Sequence, residues 1–190
     1  MELMECCNNG AQPINSYALV AYIPAPLGRF LDELRCEIVP ACVPRAHVTI
    51  LPPRPLAVTA AEAWDELSAH LRDFPAFEIE CGEVEIFEAT SVIYIAVKSG
   101  RQELKRLHDL LNTGGVAFDE PFLYHPHITV AQELASGEVL RAFETAQRRW
   151  KQYRGRRSFP VEAITFVQNT TQNRWLDLAH CVLGTAEPVR

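Results

Sequence analysis

The fold turns on two short stretches, "AHVTI" at residues 46–50 and "PHITV" at residues 126–130. Each sets a histidine and a threonine two apart inside an apolar run. On a strand, residues two apart point to the same face. His47 and Thr49 then share one face, with Val48 and Ile50 turned to the core, and His127 and Thr129 share another, backed by Ile128 and Val130. The two histidines are 80 positions apart, and so are the two threonines. One such triplet is ordinary on a half-exposed strand, because threonine favours strands and histidine tolerates partial burial. Two at one spacing raise the question of a repeat.

The flanking segments answer it. "SYALVAYIP" (16–24) is rich in strand formers, and in the next segment Leu27, Phe30, Leu31, Leu34 and Ile38 fall on one helical face. The first motif strand follows and is expected to end at Pro52 and Pro53. Thr59 and Glu62 make a capping box for a helix that buries Trp64, Leu67 and Leu71. "AFEIECGEVEIFE" reads as a strand bulged at Gly82. The order then recurs. "SVIYIAVKS" (91–99) predicts a strand, and Ser99 with Gln102 opens a helix carrying Leu104, Leu107 and Leu111. The second motif strand follows, then a helix with Leu140, Phe143 and Trp150 on one face, then two closing strands, "SFPVEAITFVQNT" and "RWLDLAHCVLG". "FEIECGEV" (77–84) aligns with "FPVEAITF" (159–166) at an offset of 82, close to the histidine spacing. The pattern predicts an ancient duplication. The expected fold class is α+β: a bilobal, duplicated domain over residues 15–190, with two antiparallel sheets carrying outer helices around a central groove. Residues 1–14 are polar and expected to be a flexible N-terminus.

Composition bounds the function. The net charge of −6 argues against a protein that coats duplex DNA through a broad basic face. A single RNA terminus or small nucleotide remains open, because a few arginines suffice locally. No apolar run approaches the roughly 18 residues of a membrane helix, and the N-terminus lacks the features of a secretory signal, so a cytoplasmic location is expected. The six cysteines show no C-x-x-C spacing and are read as reduced thiols. Cys42, five residues before His47, is read as a small buried hydrophobe rather than a metal ligand.

Two imidazoles and two hydroxyls converging across a cleft suit in-line displacement at a phosphodiester. One neutral histidine takes a proton from the attacking oxygen and the other, protonated, gives one to the leaving oxygen. Both forms coexist near neutrality because the unperturbed value is about 6.5. The threonine hydroxyls can donate to the non-bridging oxygens. This scheme calls on no metal and no cofactor.

With these motifs and this framework, the chain resembles the two-histidine (2H) phosphoesterase superfamily over about residues 15–185. Its bacterial 2'-5' RNA ligase-like and cyclic phosphodiesterase branch is the most similar. The resemblance implies a central groove with His47, Thr49, His127 and Thr129 at its floor. It implies opening of 2',3'-cyclic phosphates to 2'-phosphates, or cleavage and formation of 2'-5' RNA linkages, without a metal. Other members act on cyclic phosphates derived from ADP-ribose or on oligoadenylates. Where that branch often has an aromatic-Leu-Gly stretch after the first motif, this chain has "LPPRPL", which bears on substrate more than on reaction.

Three further residues are candidates for substrate binding. Arg54 has a guanidinium that matches phosphate oxygens. Tyr124 could stack a base, as could Phe122 and Trp175, for which core packing is the plainer role. His125 shares the face of the second motif. "HPH" lacks an accompanying acidic or cysteine ligand, so no metal is expected there. His70, His108 and His180 sit in no motif and read as ordinary. The expected protein is a monomeric phosphodiesterase whose partner is an RNA terminus or small nucleotide. The rival readings are a non-catalytic RNA-end or nucleotide-binding module using the same groove, and a protein-interaction scaffold.

Overall fold

The computed structural model describes residues 11–184. Strand β1 (Pro13–Tyr22) leads into helix α1 (Leu27–Ile38), β2 (His47–Arg54), α2 (Ala60–Asp73) and β3 (Phe77–Ile86). Then come β4 (Ile93–Ser99), α3 (Arg101–Leu111), β5 (His127–Ala131) and α4 (Val139–Gln152), and the chain closes with β6 (Ser158–Val161), β7 (Ala163–Thr170) and β8 (Trp175–Val182). Most of the segment expected to be flexible lies outside the described residues. Pro13 and Ile14 already belong to β1, where Pro13 faces Thr170.

Two four-stranded antiparallel sheets result, ordered β2-β1-β7-β8 and β5-β4-β3-β6. Each motif strand is therefore the edge of its sheet, followed inward by the strand that precedes it in sequence. The third strand of each sheet comes from the other half of the chain: β7 joins β1, and β3 joins β4. The halves are thus interleaved rather than side by side.

The register makes the duplication quantitative. Thr49 faces Val20, and Val20 faces Thr165. Thr129 faces Tyr94, and Tyr94 faces Glu85. Thr165 is therefore the counterpart of Glu85, at the same spacing of 80 that separates the motif threonines. The alignment at an offset of 82 was two residues out. A slip of two keeps every side chain on its own face, so the apolar alternation matches at either offset.

Local sequence accounts for the elements. Leu27, Leu31 and Leu34 bury one face of α1. A Cβ on Gly28 would fall 2.0 Å from the Ile23 carbonyl oxygen, so glycine alone lets α1 start this close to the end of β1. α2 carries the expected capping box, with Thr59 accepting from the Glu62 amide at 3.2 Å. β3 is irregular between Cys81 and Val84, and the buried Trp150 indole donates to the Gly82 carbonyl at 2.9 Å, satisfying the bulged backbone.

Several expectations need correction. β2 runs through Pro52 and Pro53 to Arg54. Adjacent prolines turn their nitrogens to opposite sides of the strand, so the free edge accommodates one, and the register shift against β1 between Leu51 and Arg54 accommodates the other. α3 begins after Gly100, which is left-handed, and Ser99 ends β4 with its hydroxyl directed to Glu80. α4 buries Ala142, Ala146 and Trp150, spaced four apart, while Leu140 is exposed. "SFPVEAITFVQNT" divides at Glu162 into β6 and β7, which belong to different sheets. No helix among the described residues is long and apolar enough to cross a membrane.

Candidate active site

The two motif strands are brought together. β2 and β5, the edges of the two sheets, lie against each other, with α1 beside β5 and α3 beside β2. Val48, Ile50, Ile128 and Val130 are buried in the core. His47, Thr49, His127 and Thr129, on the alternate positions, are only partly buried. Neither threonine hydroxyl makes a hydrogen bond among the described residues.

Both histidines are held by the same device. Nδ1 of His47 lies 2.7 Å from the carbonyl oxygen of Arg45, and Nδ1 of His127 lies 2.7 Å from that of His125. A carbonyl oxygen only accepts, so each Nδ1 carries the hydrogen and each neutral ring presents Nε2 as a lone pair. The lead-in to the first motif is fixed in turn. The Ala46 amide donates to the Asp32 carboxylate at 2.7 Å, and the Ala46 carbonyl accepts from Ile23 at 2.9 Å. The Asp32 carboxyl is raised by burial, against the Ala46 bond and the charges of Arg35 and Arg45.

The surroundings of the two rings differ. The His47 pKa is lowered from 6.5, chiefly by burial and further by the charges of Arg35, His127 and Arg45, while the bond to the Arg45 carbonyl opposes the shift. Beside it, Arg45 stacks over the Tyr22 ring at 3.2 Å and pairs with Asp177 at 2.6 Å. The Tyr22 hydroxyl donates to the same carboxylate at 2.6 Å. Burial, with Asp177, raises the Tyr22 pKa. A recess of about 240 Å³ opens next to this cluster, lined by Arg45, Thr165, Asp177 and His180 among others.

His127 sits among rings instead. Phe87 and Tyr94 stack on each other at 4.1 Å, and both meet the His127 ring edge to face, at 5.1 and 5.4 Å. The Tyr94 hydroxyl donates to Glu85 at 2.9 Å, and burial pushes its pKa up to about 12. Burial likewise lowers the His127 pKa, opposed by the backbone bond and reinforced by the charge of His125.

The candidates for substrate binding fare differently. Arg54 is turned into the interior. It is 2% exposed, and its guanidinium is committed to Glu120, to Asn112 Oδ1 at 2.6 Å and to the carbonyls of Pro52 and Val116. The strand that continues through the prolines carries it inward, where a lone charge would be costly and Glu120 supplies the counter-charge. Tyr124 has one ring face covered by His108 at 4.1 Å, and its hydroxyl donates to the Thr49 carbonyl at 2.7 Å, so it builds the site from behind. His108, read as ordinary, joins the Arg54 cluster through Glu120 at 3.0 Å. His125 packs edge-on to Phe87, and its Nε2 is buried without a hydrogen-bond partner among the described residues. Phe122 is largely exposed and packs in no core, and Trp175 is at the margin of exposure on β8. Sequence reasoning missed Tyr22, Arg35, Phe87, Tyr94 and Asp177. The pairing of Tyr22 with His47 and of Tyr94 with Thr129 follows from strand register, and a duplicated motif gave a way to look for it. No group of three or more histidine, cysteine or acidic residues fit to hold a metal is found among the described residues.

Two antiparallel sheets of matching topology, with their His-x-Thr edge strands lying against each other, make the two-histidine phosphoesterase architecture. The comparisons give the family. A model of the 2'-5' RNA ligase superfamily matches residues 23–173, and the chain belongs to that superfamily. Among solved structures it is similar to Escherichia coli LigT complexed with 3'-AMP, at 17% identity and a TM-score of 0.60, covering 91% of this chain and 98% of that one. It is similar to the protein TT0787 of Thermus thermophilus, at 18% identity and a TM-score of 0.61, covering 90% and 100%. The likeness extends to Kluyveromyces marxianus Usb1, at 11% identity and a TM-score of 0.50, covering 86% and 97%. These likenesses concern the fold. No curated protein matches the chain in sequence.

Proposed function

We propose that this phosphoesterase-family chain is a phosphodiesterase that opens 2',3'-cyclic phosphates or cleaves 2'-5' linkages at RNA ends or in small nucleotides, with 2'-5' ligation as the reverse reaction. The observation that carries this reading is the matched pair of Nδ1–carbonyl bonds on His47 and His127. Each leaves Nε2 as the working atom of a ring on a groove-facing edge strand. That LigT, which shares the fold, was solved with 3'-AMP fits a nucleotide substrate.

The base role is assigned to His47, because the charges of Arg35, His127 and Arg45 all disfavour its protonated form and so keep its ring neutral, whereas His125 is the one charge that acts this way at His127. In the proposed step, neutral His47 removes a proton from water as its oxygen attacks phosphorus. His127, protonated, hands its Nε2 proton to the departing 3'-oxygen, leaving a 2'-phosphate. Thr49 and Thr129 donate their free hydroxyls to the non-bridging oxygens as charge builds there. The reaction asks for no metal or cofactor. The test is a turnover assay with EDTA on the four nucleoside 2',3'-cyclic phosphates, resolving 2'- from 3'-phosphate products. His47→Ala and His127→Ala should each lower turnover at least ~10²-fold, as loss of a general acid or base does. Near-normal turnover in either variant would defeat the paired mechanism. Tight binding of the cyclic phosphate with no turnover by the wild type would favour the binding-module reading.

A further inference from the structure

β2 and β5 are both edge strands, so one side of each backbone has no strand to bond. At the motif threonines that side is closed by donors from the opposite half of the chain. Tyr124, just ahead of the second motif, donates its hydroxyl to the carbonyl of Thr49 in the first motif at 2.7 Å. Arg35, on α1 of the first half, donates from Nη1 to the carbonyl of Thr129 in the second motif at 2.9 Å. The two bonds are counterparts across the duplication, made by unlike side chains on unlike elements.

We propose that Arg35 and Tyr124 are positioning residues that cross-brace the site, each tying one half of the chain to the motif threonine of the other half and so setting the separation of the two histidines. The mechanistic part of this rests on the paired-histidine reading above. In-line displacement needs both Nε2 atoms at fixed distances from one phosphorus, on opposite sides, and misplacement of about 1 Å costs on the order of 10²-fold in rate. Packing of β2 against β5 alone leaves sliding along the strands open. Two polar bonds at matched carbonyls, running in opposite senses between the halves, oppose it.

The two arms differ in a useful way. Tyr124 brings geometry only: its ring is anchored on His108, and its hydroxyl pKa is raised by burial. Arg35 also brings charge. It has no ion-pair partner within salt-bridge distance among the described residues, and its charge disfavours protonation of His47. The other charged or titratable groups facing His47 are Arg45 on the lead-in loop, His127 on β5, Tyr22 on β1 and, through Arg45 and Tyr22, Asp177 on β8. Asp177 is bonded to two of these, and Asp32 on α1, held by the Ala46 amide, feels the charges of both Arg35 and Arg45, so Arg35 is the cation near His47 with a carboxylate nearby but no salt bridge among the described residues.

The test uses Tyr124→Phe, Arg35→Gln and Arg35→Lys in the full chain. Three readouts are taken: imidazole titration by NMR without substrate, the carbonyl carbon resonances of Thr49 and Thr129, and kcat against KM on a nucleoside 2',3'-cyclic phosphate. Tyr124→Phe should shift the Thr49 carbonyl resonance and leave the His47 titration in place. It should lower kcat about tenfold or more, with KM changed less than about twofold. Arg35→Gln should shift the Thr129 carbonyl resonance and move the His47 titration to higher pH. Arg35→Lys should restore that titration, because the charge returns, but recover kcat only in part, because the fork geometry does not. Unmoved carbonyl resonances in both variants, or kcat within about twofold of wild type in both, would overturn the brace. The titration and resonance readouts need no turnover, so they judge the brace even if the histidine variants show the paired mechanism to be wrong. Tyr124→Phe removes one oxygen and keeps the ring on His108, which guards against a loss that reflects unfolding.

Discussion

At the scale of single residues, the site's chemistry follows from what surrounds two imidazoles. Both are half-withdrawn from water, both donate Nδ1–H to a carbonyl two residues back, and both have pKa values lowered from 6.5 by burial first. A general base works only when neutral and a general acid only when protonated. A lowered base value moves the acid limb of kcat/KM to lower pH, and a lowered acid value moves the alkaline limb the same way. Under the proposed paired mechanism, the kcat/KM profile should therefore be a bell whose maximum lies on the acid side of neutrality. Because each ring feels its neighbours' charge, the two apparent values belong to the pair. A kcat/KM profile from about pH 4 to 9, in buffers of constant ionic strength, checks this, and a maximum above about pH 7.5 would contradict it.

At the scale of elements, the prolines that follow the first motif decide the fate of Arg54. β2 continues through them because it is an edge strand and its pairing with β1 shifts register there, and the continuation places Arg54 in the interior against Glu120. Side-chain exposures of 2% and 10% make this a buried pair. Burial lowers the Arg54 pKa, and Glu120 counters that by charge and hydrogen bond. Removing one partner of such a pair leaves an uncompensated charge and costs about 3–5 kcal/mol. Glu120→Gln should lose stability of that order in urea denaturation, while Glu66→Gln, on an exposed carboxylate that among the described residues accepts only from the Gly115 amide at 3.1 Å, should lose far less. Equal losses in the two variants would mean that the Arg54 pair is not special. The cluster also reaches the site, since Glu120 holds His108, and His108 backs the Tyr124 ring.

At the scale of the whole molecule, strand exchange makes the halves interdependent. The first half supplies β3 to the second sheet, and the second half supplies β7 and β8 to the first. A chain cut between Ile86 and Ile93 should give two fragments that lack cooperative unfolding alone and regain it when mixed, read by circular dichroism and amide NMR dispersion. A cooperative transition in either isolated fragment would show that the exchange is not essential. Much of this architecture was legible in the sequence. Period-two alternation around His47 and His127 reports which side chains leave the core, and the spacing of 80 reports a duplication, because both are properties of neighbouring residues along the chain. The capping box at Thr59 and the bulge at Gly82 were legible for the same reason. What tertiary structure decided is what depends on contacts distant in sequence. It sent β3 and β7 across to the other half, buried Arg54, which was a candidate for binding phosphate or an exposed surface arginine, exposed Phe122, and brought Arg35 and Tyr124 to carbonyls 94 and 75 positions away. Local periodicity carries no information on which partner a free edge, a buried charge or an unpaired carbonyl will find. Those choices are settled only when the whole chain competes to satisfy its buried polar groups.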